Sequence, residues 1–222
     1  MIQLDQVSLR RGGRVLFQKA SMQIHPGWKV GLTGVNGAGK SSLFAALLGS
    51  LTPDEGTLSR PQGWTVAHMA QEVKALDLPA IDFVLSGDEE YWNIQQQLQH
   101  PEQLNNDQLA HLHGRFDEIH GYTAPAKAAQ LMAGLGFMAH QNSLAVSSFS
   151  GGWRMRLNLA RTLMSRSDLL LLDEPLSALD SAHKKEIIPF FQKIKAELKI
   201  PMLYVSHDKS EIEQLTHEIW YL

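Results

Sequence analysis

Gly34-Val35-Asn36-Gly37-Ala38-Gly39-Lys40-Ser41-Ser42 is the stretch whose reading decides the fold. It fills the pattern G-x-x-x-x-G-K-[ST], with Ser41 in the hydroxyl position. Before it, Trp28 to Thr33 has the short apolar run of a buried strand; after it, Leu43, Phe44, Leu47 and Leu48 fall at helical spacing. The context is strand, loop, helix. Glycines let the backbone pass close to an anion in conformations a Cβ would forbid, so successive N–H groups and the helix N-terminus point at phosphate. Lys40 would then reach the β- and γ-phosphates and the Ser41 hydroxyl would bind Mg²⁺. The competing reading, a glycine-rich turn with an exposed lysine, explains neither the length of the match nor its flanks.

Composition sets outer limits. A chain of 222 residues, 44% hydrophobic, can bury a large core as one domain with an elaboration. It has no cysteine, which excludes disulfides and thiolate metal sites and fits a reducing compartment. No signal peptide or apolar run near membrane length is visible, so the expected location is cytoplasmic with no direct membrane insertion. A net charge of −3 gives no global drive towards nucleic acid or an anionic membrane.

Outward from the loop, Ile2 to Leu9, Val15 to Phe17 and Met22 to Ile24 read as strands, interrupted at Asp5-Gln6 and turned at Gly12-Gly13. This start reads as an antiparallel layer. Gly56 to Leu58 returns extended, and a strand from Trp64 leads towards Gln71, whose side chain can reach a metal or an attacking water. From about Pro79 to Gly136 the pattern becomes helical, with breaks at Gly87, Pro101 and Gly121. Gly87 to Gly121 holds seven acidic residues and one arginine, Arg115, a surface that repels phosphate backbones. His100, His111, His113 and His120 miss the i, i+4 spacing of a helical metal site and read as surface residues.

Ser147 to Gly152 reads Ser-Ser-Phe-Ser-Gly-Gly, with Ser150 as N-cap of a helix from Trp153 to Ser165. Its glycines, Gly151 and Gly152, expose backbone donors at a second anion-facing helix end. Four leucines, Leu169 to Leu172, run into Asp173 and Glu174, the form of a parallel strand buried on both faces with acids at its C-terminal end. Two adjacent carboxylates there imply Mg²⁺ or a polar water site, since a capped turn before Pro175 would account for only one of them; Asp173 would hold Mg²⁺ through its water shell and Glu174 would polarise the attacking water. Ser181 to Lys199 reads as a helix with a solvated basic face, which Pro189 should kink or split unless its neighbours compensate. Met202 to Val205 is a further buried strand, ending at Ser206, His207 and Asp208.

Taken together these residues resemble an ATP-binding-cassette (ABC) ATPase over essentially the whole chain, with the parts in the family's order. Gly34 to Ser42 looks like the Walker A loop, Gln71 the Q-loop glutamine, Phe149 to Trp153 the Leu-Ser-Gly-Gly-Gln signature, Leu169 to Glu174 the Walker B strand, Ser177 to Asp180 the D-loop and His207 the switch histidine. The fold implied is an α/β P-loop NTPase of ABC type. It has a mostly parallel core sheet, an N-terminal antiparallel β layer and an inserted α-helical subdomain. Its expected division is 1–78 with 166–222 as nucleotide-binding core and 79–165 as helical subdomain.

The resemblance implies ATP and Mg²⁺ as ligands. Asn36, Gly37, Ala38, Gly39, Lys40, Ser41 and Ser42 would hold the nucleotide, and Arg11 stands where many members stack the base. Ser41, Gln71 and Asp173 would manage the metal, and Glu174, His207 and Gln71 the chemistry. Ser150, Gly151, Gly152 and Asp180 would close the site of a second cassette facing this one, either a homodimer partner or a missing half of the chain. Up to about Leu172 the sequence resembles the first cassette of the ABC-F class of ribosome-associated ATPases, through Phe149-Ser-Gly-Gly-Trp-Arg-Met-Arg and the insert at 87–121. After Glu174, Pro175 to Asp180 and Ile200 to His207 resemble importer ATPases of the molybdate type, which would work on an integral membrane permease. The chain stops in an expected final strand, Glu218 to Leu222, which reads as an excised cassette.

Overall fold

The computed structural model describes residues 1–69 and 73–222. In chain order the elements begin β1 (Ile2–Arg11), β2 (Arg14–Ile24), β3 (Lys29–Thr33), α1 (Lys40–Leu48), β4 (Glu55–Ser59) and β5 (Val66–His68). Helices follow: α2 (Ala80–Leu85), α3 (Glu89–Leu98), α4 (Asn106–Glu118), α5 (Ala124–Gly134) and α6 (Gly151–Met164). The chain ends with β6 (Leu169–Asp173), α7 (Ser181–Glu197), β7 (Met202–Val205), α8 (Lys209–Leu215) and β8 (Glu218–Tyr221). Contacts divide it into two units, Met1–Met69 with Ser167–Leu222, and Ala70–Arg166.

The first unit carries two sheets. One is antiparallel, in the order β2-β1-β4, and the other has five parallel strands in the order β5-β6-β7-β3-β8. The hairpin between β1 and β2 turns at Gly12 and Gly13, both at positive φ. The Asp5-Gln6 interruption is a bulge: Gln6 has φ 49° and the ladder shifts register between Leu4 and Val7. Gly56 of β4 lies against this bulge, where an added Cβ would run into the Asp5 and Gln6 carbonyls. Where the sequence suggests two short strands, β2 is one; a residue at positive φ, Lys19, absorbs the irregularity.

Leu169 to Leu172 are buried throughout β6, which is flanked on each side by a parallel strand, as a four-leucine run demands. The core joins this sheet (Val30, Leu32, Leu171, Leu203) to α1 (Leu43, Phe44, Leu47) and to the antiparallel layer (Ile2, Leu4, Val7, Leu9). Each such side chain contributes about 1.5–3 kcal/mol by leaving water.

Two expectations for the tail change. Pro189 lies inside α7, yet the helix runs unbroken from Ser181 to Glu197. Ile187, Ile188, Phe191 and Ile194 bury the face around it, and tertiary packing of that stripe outweighs the local cost of proline. Nor is the basic face wholly solvated: Lys185, Lys193 and Lys199 are exposed, whereas Lys184 and Lys195 are half-buried and engaged by neighbours.

Lys29, at the start of β3, is 1% exposed and donates to the carbonyls of Leu198 (2.8 Å) and Ile200 (2.5 Å). Burial, and then Lys195, pull its ammonium down from 10.5 to about 8. Between those values the unfolded chain holds more protons than the folded one, so this residue's contribution to stability grows as pH rises through the window. Urea titrations of wild type and Lys29→Met should therefore show a wild-type advantage that widens from about pH 8 to about pH 10. A constant difference would contradict this.

The second unit is helical, with breaks where Gly87, Pro101 and Gly121 foretell them. Asp88 caps α3 through Tyr91 N–H, and its buried carboxylate pairs with Arg166 Nε at 2.6 Å. Asn105 and Gln108 form a capping box at the start of α4. The junction falls earlier than residue 79, because Leu76 and Leu78 accept from the N–H groups of Ser147 and Val146 and so tie this segment to the helical unit. His100, His111, His113 and His120 are exposed.

Candidate active site

The parallel sheet delivers three chain segments to its C-terminal edge. From β3 the chain enters the phosphate loop, with Gly37 at φ 82° and Gly39 at φ 110°. Ala38 N–H donates back to the Val35 carbonyl at 3.1 Å, closing a tight turn. An added Cβ at Gly39 would press on Leu16 and Phe17 of β2, at 3.0 and 3.2 Å, so packing and conformation both require glycine. Gly39 is the N-cap of α1; it brings no side-chain cap and the first turn holds no acid, leaving the positive end of the helix for an anion. Asn36, Gly37 and Ser41 are exposed, while Ser42 is buried.

Lys40 is 8% exposed, and its Nζ donates to the Gly34 carbonyl at 2.8 Å and the Val35 carbonyl at 3.2 Å. The loop thus folds over an ammonium. Arg11 is exposed at the end of β1, opposite Arg14 in the hairpin register. Arg14 comes nearer the loop, with its Nη1 3.8 Å from where a Gly37 Cβ would stand. Sequence reasoning passed over Arg14 because register, rather than motif spacing, brings it there.

From β6 the chain reaches Asp173, 9% exposed and paired in register with Val205 of β7. His68, at the end of β5, lies close enough to feel that carboxylate: burial lowers its pKa and Asp173 opposes the shift. Glu174 follows in the left-handed region, φ 48°, anchored by its N–H to the Val205 carbonyl at 2.9 Å. Such a backbone costs about 1–3 kcal/mol in a residue other than glycine and persists only where surroundings hold it. Here Ser177 holds it too, donating from N–H (3.0 Å) and Oγ (2.8 Å) to the Glu174 carbonyl.

Just past β7, His207 places Nε2 2.6 Å from Glu174 Oε1, with both side chains partly open to solvent. Gln71 lies outside the described residues. Asp180 caps α7 through the N–H groups of Ala182 and His183 and meets His183 Nδ1 at 2.8 Å; the His183 backbone and ring bonds hold its carboxyl below the usual range.

In the helical unit, Ser150 is the N-cap of α6 by position, but its side chain makes no capping bond, contrary to the sequence expectation. The loop is braced instead by aromatics. Phe137 meets Phe149 and Trp153 edge to face, and Arg156 stacks over the Trp153 ring at 4.3 Å. Gly151 and Gly152 form the first residues of the helix itself.

Among known families, the one described as ABC transporter matches residues 17–177. The probable ATP-binding protein YheS of Haemophilus influenzae is 40% identical over all of this chain, which spans 34% of that protein. ATP-binding cassette sub-family F member 3 of Mus musculus is 34% identical over all of this chain, which spans 31% of it. The chain is thus about a third of the length of the curated relatives it matches. These matches extend past Glu174, where the wording resembles importers, and favour the ABC-F reading for the whole stretch. Among solved structures, a putative metal-chelate type ABC transporter in an inward-facing conformation superposes with TM-score 0.71 at 21% identity, covering all of this chain and 79% of its own. A dimeric ATP-binding cassette bound to ADP and Pi gives 0.68 at 17%, covering all of this chain and 94% of its own. Both likenesses establish the fold alone.

Proposed function

Because this chain belongs to the ABC transporter family, we propose that it is an ATP-binding and ATP-hydrolysing cassette of the ABC-F class, closing on ATP as a nucleotide-sandwich dimer with a second cassette. The observation that carries the reading is the convergence, at one sheet edge, of the Lys40 loop, Asp173 and the Glu174–His207 pair. Phosphoryl transfer asks mainly for positioning and for neutralisation of charge, and these groups supply both.

The donor set fits a hard cation as well: an exposed serine hydroxyl at Ser41 and a buried carboxylate at Asp173 are oxygen ligands of the type Mg²⁺ takes. When bound, Mg²⁺ neutralises phosphate charge there, with Gln71 as the third expected ligand. Lys40 and the amides of residues 36–42 balance the triphosphate. Glu174 orients the attacking water and takes its proton while the terminal phosphoryl group leaves ADP. His207 holds the γ-phosphate against that carboxylate. Ser150, Gly151, Gly152 and Asp180 serve the partner cassette's nucleotide. Arg11 is the candidate for the base, which a guanidinium can stack.

No helix among the described residues is long and apolar enough to cross a membrane. This is in keeping with a cytoplasmic ATPase. The acidic helical insert, where Arg115 is bound to Glu90 (2.6 Å) and Glu118 (2.9 Å), suits a protein surface of the ribosome better than its RNA. In ATP, with hydrolysis blocked, the chain should sediment with ribosomes. Copurification with an integral membrane protein and absence from the ribosomal pellet would replace this reading by the importer one.

A further inference from the structure

Behind His207 lies a buried polar network that the nucleotide chemistry does not itself use. Glu211, on α8, is 2% exposed. Its Oε2 accepts from the Tyr204 hydroxyl at 3.0 Å and from Ser206 Oγ at 2.8 Å, and its Oε1 forms an ion pair with Lys184 of α7. Lys184 also reaches Asp208 Oδ2 at 3.4 Å. Ser206 Oγ accepts the Asp208 N–H at 3.0 Å, and Asp208 caps α8 through the N–H groups of Ser210 and Glu211. Burial pulls the Lys184 ammonium down, but its bonds to Glu211 and Asp208 prevail and leave it raised. Burial first, and then the Glu211 charge, push the Tyr204 phenol well up.

A carboxylate this deep is costly, and a purely structural role at the site could be filled by apolar packing. What the network has in common is its target. It fixes the residue on each side of His207, Ser206 and Asp208, and it joins them to α7 one turn beyond Asp180. Side-chain contacts join Lys184 to Glu211 and Glu211 to Ser206; the peptide bond carries the path on to His207, whose ring meets Glu174. We infer that Glu211, acting through Ser206 and anchored by Lys184, is a positioning residue that holds the His207 ring against Glu174 for hydrolysis. This rests on the reading of Glu174 and His207 given above.

Ser206→Ala cuts the link at the cost of one hydroxyl and leaves the Lys184–Glu211 pair in place. It should lower kcat about tenfold, since a small misplacement of a catalytic group is costly, with KM for Mg·ATP within about twofold. Ser206→Thr, which keeps the hydroxyl, should restore turnover, and Glu211→Gln should depress it in the same direction. A wild-type kcat in Ser206→Ala, or a loss that threonine fails to rescue, overturns the inference. A readout free of turnover separates it from the ATPase reading: the His207 imidazole N–H bound to Glu174, seen by nitrogen-edited NMR, should vanish in Ser206→Ala. If it persists unchanged, the positioning role is wrong even where wild type hydrolyses ATP. If wild type fails to hydrolyse ATP, the functional reading falls, and the imidazole signal still decides the contact.

Discussion

Replacing Glu174 with glutamine should leave a chain that binds ATP but releases phosphate at least about a hundredfold more slowly, the scale of a lost general base. The amide keeps the size of the side chain and a hydrogen bond to His207, so nothing in the backbone at φ 48° or in the Val205 and Ser177 anchors is disturbed. What disappears is the carboxylate proposed to accept the water's proton. With nucleotide bound and chemistry stalled, the two-cassette sandwich should outlive purification, and size-exclusion in ATP should show a dimer that ADP does not support. Unchanged phosphate release would remove Glu174 from the mechanism.

Much of this site is written locally in the chain. The phosphate loop is legible because its glycines meet a local backbone demand, and Gly39 shows the demand directly in its φ and in its crowding by Leu16 and Phe17. The Leu169–Leu172 run is legible because only a strand buried on both faces uses four leucines before two acids. The left-handed turn at Glu174 could not be read, since it is imposed by the hydrogen bond its N–H gives to the Val205 carbonyl and by those its carbonyl accepts from Ser177, rather than by the residue's own preference.

Long-range pairs stay hidden for the same reason. Nothing in the spacing of Lys184 and Glu211 announces that a lysine on a basic helix face is bound to a buried carboxylate on α8. That helix is only seven residues long, started by the Asp208 cap, and too short for periodicity to reveal. Pro189 shows the opposite case, because the local penalty is easy to read whereas the apolar stripe that keeps the helix from splitting is tertiary. The helical breaks at Gly87, Pro101 and Gly121 needed no such context.

The second large effect belongs to Lys40. In the free chain its ammonium is held by the Gly34 and Val35 carbonyls, so the loop already carries a buried positive charge where a triphosphate would lie. Each hydrogen bond to a charged partner contributes about 1.5–3 kcal/mol, and tenfold in affinity is about 1.4 kcal/mol. Lys40→Ala should therefore weaken Mg·ATP binding by about tenfold to a hundredfold or more, while the fold, whose core lies in the sheet and α1, keeps its melting cooperativity.

Calorimetric titration of the purified chain with Mg·ATP, wild type beside Lys40→Ala, asks the question most directly. The account predicts saturable binding, one nucleotide per chain, that collapses with the lysine. No saturable binding, or equal affinity in the two proteins, would contradict it.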